Sequence, residues 1–201
     1  MIVVSDAAPL IGLAKGRVFT VLRDLFGRIF IPPTVFTEIV VEGKGRSGSQ
    51  ELQDALAAKW MEIHTPQALT FCTLPPHWNK EDQAVVAVAM ELQARFLLAD
   101  DKRLRNYAAQ QSLTCLFTTD VLLMAWRVGL LSRLRPPLDH MRSQNFGIID
   151  PVYEALLRAT GEDAATANCG VGAARLGRRK VGEGEEITGG GPRSGADCAG
   201  G

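Results

Sequence analysis

The sequence predicts an α/β fold with a mainly parallel central sheet and helices on both faces, and three observations lead there. Short apolar runs such as Ile2-Val3-Val4 and Phe96-Leu97-Leu98-Ala99 have the length and composition of buried strands. Segments with apolar residues at helical spacing separate these runs, and an alternation of strand and helix favours parallel pairing. Carboxylates close the apolar runs: Asp6 follows the first, and Asp100-Asp101 follow Ala99. In an open parallel sheet the carboxyl ends of the strands lie along one edge, where such sheets place their ligands.

Each element has a local reason. Ile2 to Val4 reads as a short buried strand, and Pro9 to Ala14 as a helix with proline in its first turn, where a missing N–H costs nothing. Apolar residues at 18, 21, 22, 25 and 26 predict a helix over Val18 to Phe26, ended by Gly27. Arg28 to Ile31 is a second strand. Pro32-Pro33 stops it and opens a helix from Thr34 to about Val41. Gly43 to Ser49 is a loop, Gln50 to Ala58 a helix, and Met61 to His64 alternates like an edge strand. Asn79 is the N-cap of a helix over Lys80 to Gln93. Phe96 to Ala99 and Leu113 to Phe117 are strands, and Lys102 to Gln111 and Thr119 to Val128 are helices, the last closed by Gly129.

Composition bounds the function. The chain has 201 residues, 46% of them hydrophobic and 22% charged, which suits one globular domain with an appendage. Residues 1–160 form the expected domain, with a helical C-terminal segment. Residues 161–201 are rich in Gly and Ala and poor in large apolar side chains, so a disordered tail is expected. With 22 basic and 22 acidic residues the formal net charge is zero, so attraction to a polyanion must come from a local patch. No apolar stretch reaches membrane-spanning length. An acid at position 6 and the lack of a basic leader point to a cytoplasmic protein. Cys72, Cys115, Cys169 and Cys198 form no C-x-x-C pair, so a zinc knuckle is unsupported.

Taken singly, each acid has a structural explanation. Asp6 precedes a helix and suits an N-cap. Glu38 lies beside the apolar residues 35, 36, 39 and 40 on the solvated edge of an amphipathic helix. Glu81 and Asp82 fall in a helical first turn, where the dipole favours them. Of Asp100 and Asp101, capping accounts for one and leaves the other over. Together they gather acids at one edge. Carboxylates so placed repel unless a cation sits among them, and hard oxygen ligands suit Mg²⁺ or Mn²⁺. Other classes fit less well. The segment Gly43-x-Gly45-x-x-Gly48 follows a helix rather than a strand, so it is no dinucleotide fingerprint, and no Walker loop occurs. A phosphatase or phosphoacceptor domain also puts an Asp after its first strand, but needs a further acid or lysine at a strand end that is not found. His64, His77 and His140 lie outside these segments. Trp78 is a packing residue that has the means to stack on a base, and Lys102, Arg103 and Arg105 are candidates for phosphate contact.

The acids also carry a family resemblance. Val4-Ser5-Asp6-Ala7-Ala8-Pro9-Leu10-Ile11 resembles the opening of PIN-domain proteins, and Ile31-Pro32-Pro33-Thr34-Val35-Phe36-Thr37-Glu38-Ile39 their second acidic motif. Lys80-Glu81-Asp82-Gln83-Ala84-Val85 and Leu97-Leu98-Ala99-Asp100-Asp101-Lys102-Arg103 resemble the third and fourth. Thr118 to Ala159 is similar to the C-terminal part of the DUF3368 subgroup, related to VapC-type toxins. The resemblance covers about residues 1–160 and implies a PIN-like (Rossmann-like) three-layer sandwich. It implies an RNA-cleaving, Mg²⁺- or Mn²⁺-dependent enzyme with Asp6, Glu38, Glu81 and Asp100 as catalytic acids, and Asp6, Glu81, Asp100 and Asp101 around the metal. An antitoxin partner and a homodimer follow from the same resemblance. Ala8 stands where the family often has a hydroxyl residue, Lys80 where glycine is common, and Asp120 where a small residue is common. These departures leave a second reading open: a catalytically impaired PIN-fold module that binds RNA or a protein.

Overall fold

A computed structural model describes residues 1–67 and 78–163, all within Met1–Cys169, one of two units of the chain. The expected tail from residue 164 onward, and all of the Pro75-to-Trp78 loop except Trp78, lie outside the described residues. Five three-residue strands, β1 (Val3–Ser5), β2 (Ile29–Ile31), β3 (Met61–Ile63), β4 (Phe96–Leu98) and β5 (Thr114–Leu116), form one sheet in the order β3-β2-β1-β4-β5, every pair parallel. Val3 stands opposite Ile29 on one side and Phe96 on the other. Val3, Val4, Leu97 and Leu98 are wholly buried, as strands covered by helices on both faces must be. The fold is the predicted α/β sandwich.

The connecting helices follow the sequence with instructive exceptions. They are α1 (Ala7–Lys15), α2 (Val21–Phe26), α3 (Pro33–Phe36), α4 (Ser49–Ala57), α5 (Lys80–Glu91), α6 (Lys102–Gln110), α7 (Thr118–Arg127), α8 (Arg135–Ser143) and α9 (Asp150–Ala159). α2 starts three residues later than its apolar spacing suggests, because Arg17 is left-handed (φ 59°) and a turn intervenes before it, with Val21 N–H bonded to Val18 O. It ends as expected at Gly27, whose φ of 77° suits glycine. The helix expected to Val41 is α-helical only through Phe36 and continues as a π-helix over Thr37–Glu42. Thr37, Ile39, Val40 and Val41 are β-branched, and such a run crowds a regular α-turn.

Of the C-terminal helices, α8 packs back onto α1. Phe146, between α8 and α9, lies over Gly12, and a Cβ built there would sit 2.6 Å from the ring. That close approach explains a glycine inside a helix, where it costs about 1 kcal/mol relative to alanine. Among the described residues no helix is long and apolar enough to cross a membrane.

Candidate active site

The chain runs outward from β1 through β2 to β3, then returns to lay β4 against the other side of β1. The strand order reverses between β1 and β4, so the crevice beyond their carboxyl ends is the ligand position that such topology favours. Asp6 leaves β1 there and Asp100 leaves β4 two residues past its end, while the Asp6 N–H donates to Leu98 O at 2.8 Å. The switch point and the acidic corner are the same place.

Asp6 occupies the N-cap position of α1 in extended conformation (φ −77°, ψ 169°), but its side chain makes no capping hydrogen bond. The capping role that its position suggests is therefore not the one it performs. Burial lifts its carboxyl from 3.8 to about 6; the Ala7 N–H works against the rise, and the carboxylates of Glu38, Asp82 and Asp100 add to it. Asp6 has no ion-pair partner among the described residues.

Asp100 and Asp101 divide the labour. Asp101 caps α6, accepting from Arg103 N–H at 2.6 Å, and the Arg103 guanidinium, 2.8 Å away, holds its carboxyl below the usual range. Asp100 turns inward instead. It accepts from Thr118 N–H at 2.8 Å and from the Thr118 hydroxyl at 2.7 Å. Burial still raises its carboxyl, with Asp120 adding a little, because the two Thr118 bonds only partly offset desolvation.

The remaining acids split across two neighbouring turns. Glu38 and Glu42 on the π-helix and Glu81 on α5 line a cavity of about 450 Å³ with Pro33, Thr34 and Thr37. Thr34 Oγ1 is shut off from solvent without a hydrogen-bond partner among the described residues. Burial, then Glu42, then Glu81 push the Glu38 carboxyl upward. Asp82, not Glu81, is the α5 carboxylate whose charge Asp6 feels. Adjacent residues on a helix point in different directions, so one acid of the pair faces Asp6 and the other the cavity. The motif's spacing does not tell which. Asp82 is also raised by burial, which Arg103, at 3.4 Å, opposes.

The donor chemistry suits a hard cation. Several carboxylates press charge on Asp6, and its burial is uncompensated. Among the described residues, however, no three His, Cys, Asp or Glu side chains stand close enough together to hold one ion. Mg²⁺ keeps several of its waters and takes one or two carboxylates directly. Among the described residues the corner is therefore no closed protein cage, and Asp6 is the carboxylate in it that could take a hydrated cation directly.

Other sequence candidates have local partners. Arg103 pairs with Asp101 and Asp82; Arg105 lies 3.8 Å from Asp120 and over the Phe117 ring. Asp120, a departure from the family pattern, accepts the Phe117 N–H at 2.9 Å at the start of α7. Trp78 meets Tyr107 edge to face at 4.8 Å, an ordinary packing contact. His64 pairs with Glu91 at 3.0 Å, away from the acids of the corner. Cys115 is buried and its thiol is pushed up to about 11, mainly by burial, so it is an inert core residue. Sequence reasoning did not single out Thr118, Glu42 or the site-facing role of Asp82. For Thr118 the available signal was a hydroxyl at the start of a helix one strand beyond Asp100.

No curated protein matches the chain. The family DUF3368, described as a PIN domain, matches residues 2–162, which span every element of the sheet and all nine α-helices described above. With the match covering most of its length, and with acids at the switch point of a parallel sheet, the chain belongs to the PIN-domain family DUF3368.

Proposed function

We propose that the protein is a cytoplasmic, Mg²⁺- or Mn²⁺-dependent endoribonuclease of toxin–antitoxin type, working as a homodimer and restrained by a cognate antitoxin protein. PIN domains are generally nucleases and typically depend on divalent metal, which sets the class. The observation that carries the reading is Asp6: a partly buried, uncapped carboxylate at the switch point, with its proton affinity raised and no cation partner among the described residues. A bound cation would neutralise charge on the phosphate and supply an acidified water.

The chain's own residues supply the rest. Asp6 must lose its proton to take up the cation, so uptake competes with protonation near pH 6. Asp100 is held in one orientation by both donors of Thr118 and accepts from water on the cation. Asp82, steadied by Arg103, adds negative charge beside Asp6. Glu38 and Glu81 face the adjoining cavity and order water at the substrate's approach.

The test is cleavage of labelled single-stranded RNA with Mg²⁺, with Mn²⁺ and with EDTA, comparing the wild type and Asp6→Asn. Cleavage is expected with either metal, not with EDTA, and to fall at least ~100-fold in Asp6→Asn. It is also expected to decline as pH drops through about 6, as Asp6 takes up its proton. Cleavage that survives EDTA or the substitution removes the reading.

The impaired-module alternative has two observations in its favour. No three described acids converge on one ion, and both Asp100 oxygens are already engaged by Thr118. Binding of RNA or a protein without cleavage under any metal condition would select it.

A further inference from the structure

A site built of carboxylates has to attract a polyanion, and the chain's zero net charge gives no help. Of the cations next to the last acids, Arg103 is committed to Asp101 and Asp82, and Arg105 lies toward Asp120. The compensating charge lies on the opposite flank. A second cavity, of about 400 Å³, adjoins the first and is lined by Ile11, Lys15, Glu38, Glu42, Arg46 and Ser47, among others. Glu38 lines both cavities, and its charge reaches Asp6. The second cavity is therefore one side chain removed from the proposed reacting centre.

Its two cations form no ion pair among the described residues, although Glu38 and Glu42 line the same cavity. Arg46 is exposed, in the loop between the π-helix and α4, and its guanidinium makes no ion pair or hydrogen bond among the described residues. Lys15, at the end of α1, gives one donor to the Gln144 carbonyl at 2.9 Å, which orients the ammonium without cancelling its charge. Beside them are the Ser47 side chain and the apolar Ile11. A guanidinium takes a phosphate with two parallel hydrogen bonds and a lysine adds a point charge. The volume is within the range of cavities that hold a small ligand.

From this placement we propose that Lys15 and Arg46 form a phosphate subsite, binding a backbone phosphate of a single strand next to the one presented to Asp6. The proposal rests on the nuclease reading for its substrate. The subsite is indifferent to base sequence, because a phosphate contact positions a strand without reading it. It also sets a path: the strand runs between the loop after the π-helix and the Asp6 corner, past Glu38.

Two measurements on the full chain test it. Anisotropy of a fluorescein-labelled short single-stranded RNA, titrated in EDTA over a sodium chloride series, reads binding without cleavage. Arg46→Ala and Lys15→Ala are each expected to weaken binding about tenfold and to flatten the slope of log affinity against log salt by about 0.7, the loss of one phosphate contact. Arg46→Lys is expected to recover part of the affinity, and Arg158→Ala, on α9 and paired with Glu154, to leave the slope alone. Cleavage kinetics in Mg²⁺ are expected to show a raised KM with kcat unchanged for Arg46→Ala.

Unchanged affinity and slope in folded Arg46→Ala and Lys15→Ala overturn the subsite, even where the wild type cleaves RNA normally. A wild type that never cleaves, yet binds with an Arg46-dependent slope, overturns the nuclease reading and leaves the subsite standing. A wild type that neither binds nor cleaves overturns both.

Discussion

Two partly buried carboxylates, Asp6 at the strand ends and Glu162 beyond α9, are treated in opposite ways. Burial opposes ionisation at both. At Glu162 the opposition is overcome: Leu134 N–H donates at 2.6 Å, Arg135 N–H at 3.1 Å and the Thr160 hydroxyl at 2.9 Å, with Arg133 at 3.4 Å. Its carboxyl is held below the usual range although its side chain is only 8% exposed. The acceptor also satisfies the free N–H groups at the start of α8, so this corner fastens the C-terminal helices. At Asp6 only the Ala7 N–H helps, neighbouring acids make matters worse, and the proton is held to about pH 6. A folded chain that could have supplied donors to Asp6 left the charge uncompensated, and that is what a cation-binding corner requires. One carboxylate serves stability; the other is left without a compensating partner among the described residues, as the proposed cation site requires.

The sharpest way to break this contrast is to neutralise each acid and compare signs. Asp6→Asn is expected to stabilise the metal-free protein. A carboxyl raised from 3.8 to about 6 favours the fold below pH 3.8 and loses that advantage as pH rises through 6, a difference of about 3 kcal/mol by neutral pH. Urea unfolding at pH 7.5 should therefore show the variant more stable than wild type, with the gap closing near pH 4. A destabilised variant would mean that Asp6 has a structural partner after all.

Glu162→Ala is expected to do the reverse, costing about 2 kcal/mol by stranding donors at the head of α8. Because the Glu162 carboxyl is depressed, its contribution is present at neutral pH and lost under acid conditions, opposite to that of Asp6. Thermal unfolding at pH 7.5 and pH 4 would read the difference, and a variant indifferent to pH would dissolve the comparison.

A smaller effect sharpens the intermediate case, Asp100. Thr118→Val keeps the backbone donor but deletes the hydroxyl 2.7 Å away, so stability should fall by about 1 kcal/mol. The Asp100 carboxyl should rise further, readable by carboxyl-carbon NMR titration. Unaltered titration would show that the hydroxyl contributes nothing to placing this acid.

Much of the architecture was legible because strands and helices leave different periods in a sequence. Val3-Val4 and Leu97-Leu98, buried on both faces, read as unbroken apolar runs, and Gly27 and Gly129 marked helix ends through their positive φ. The position of Asp6 after β1 and of Asp100 after β4 was equally visible. The change from α- to π-helix at Thr37 was not, since its β-branched run lowers helix propensity without dictating the alternative. Nor was the choice between Glu81 and Asp82, which turns on how α5 is rotated against the sheet.

Order along the chain, through apolar period and turn chemistry, was enough to specify a parallel α/β sandwich and to put acids at its strand ends. Whether a given acid would be capped, paired or left bare depended on residues far away in the chain. Thr118 reaches Asp100 from 18 positions on, and Leu134 lies 28 positions from Glu162. Electrostatic fate is a property of neighbours in space, and no local pattern encodes those neighbours.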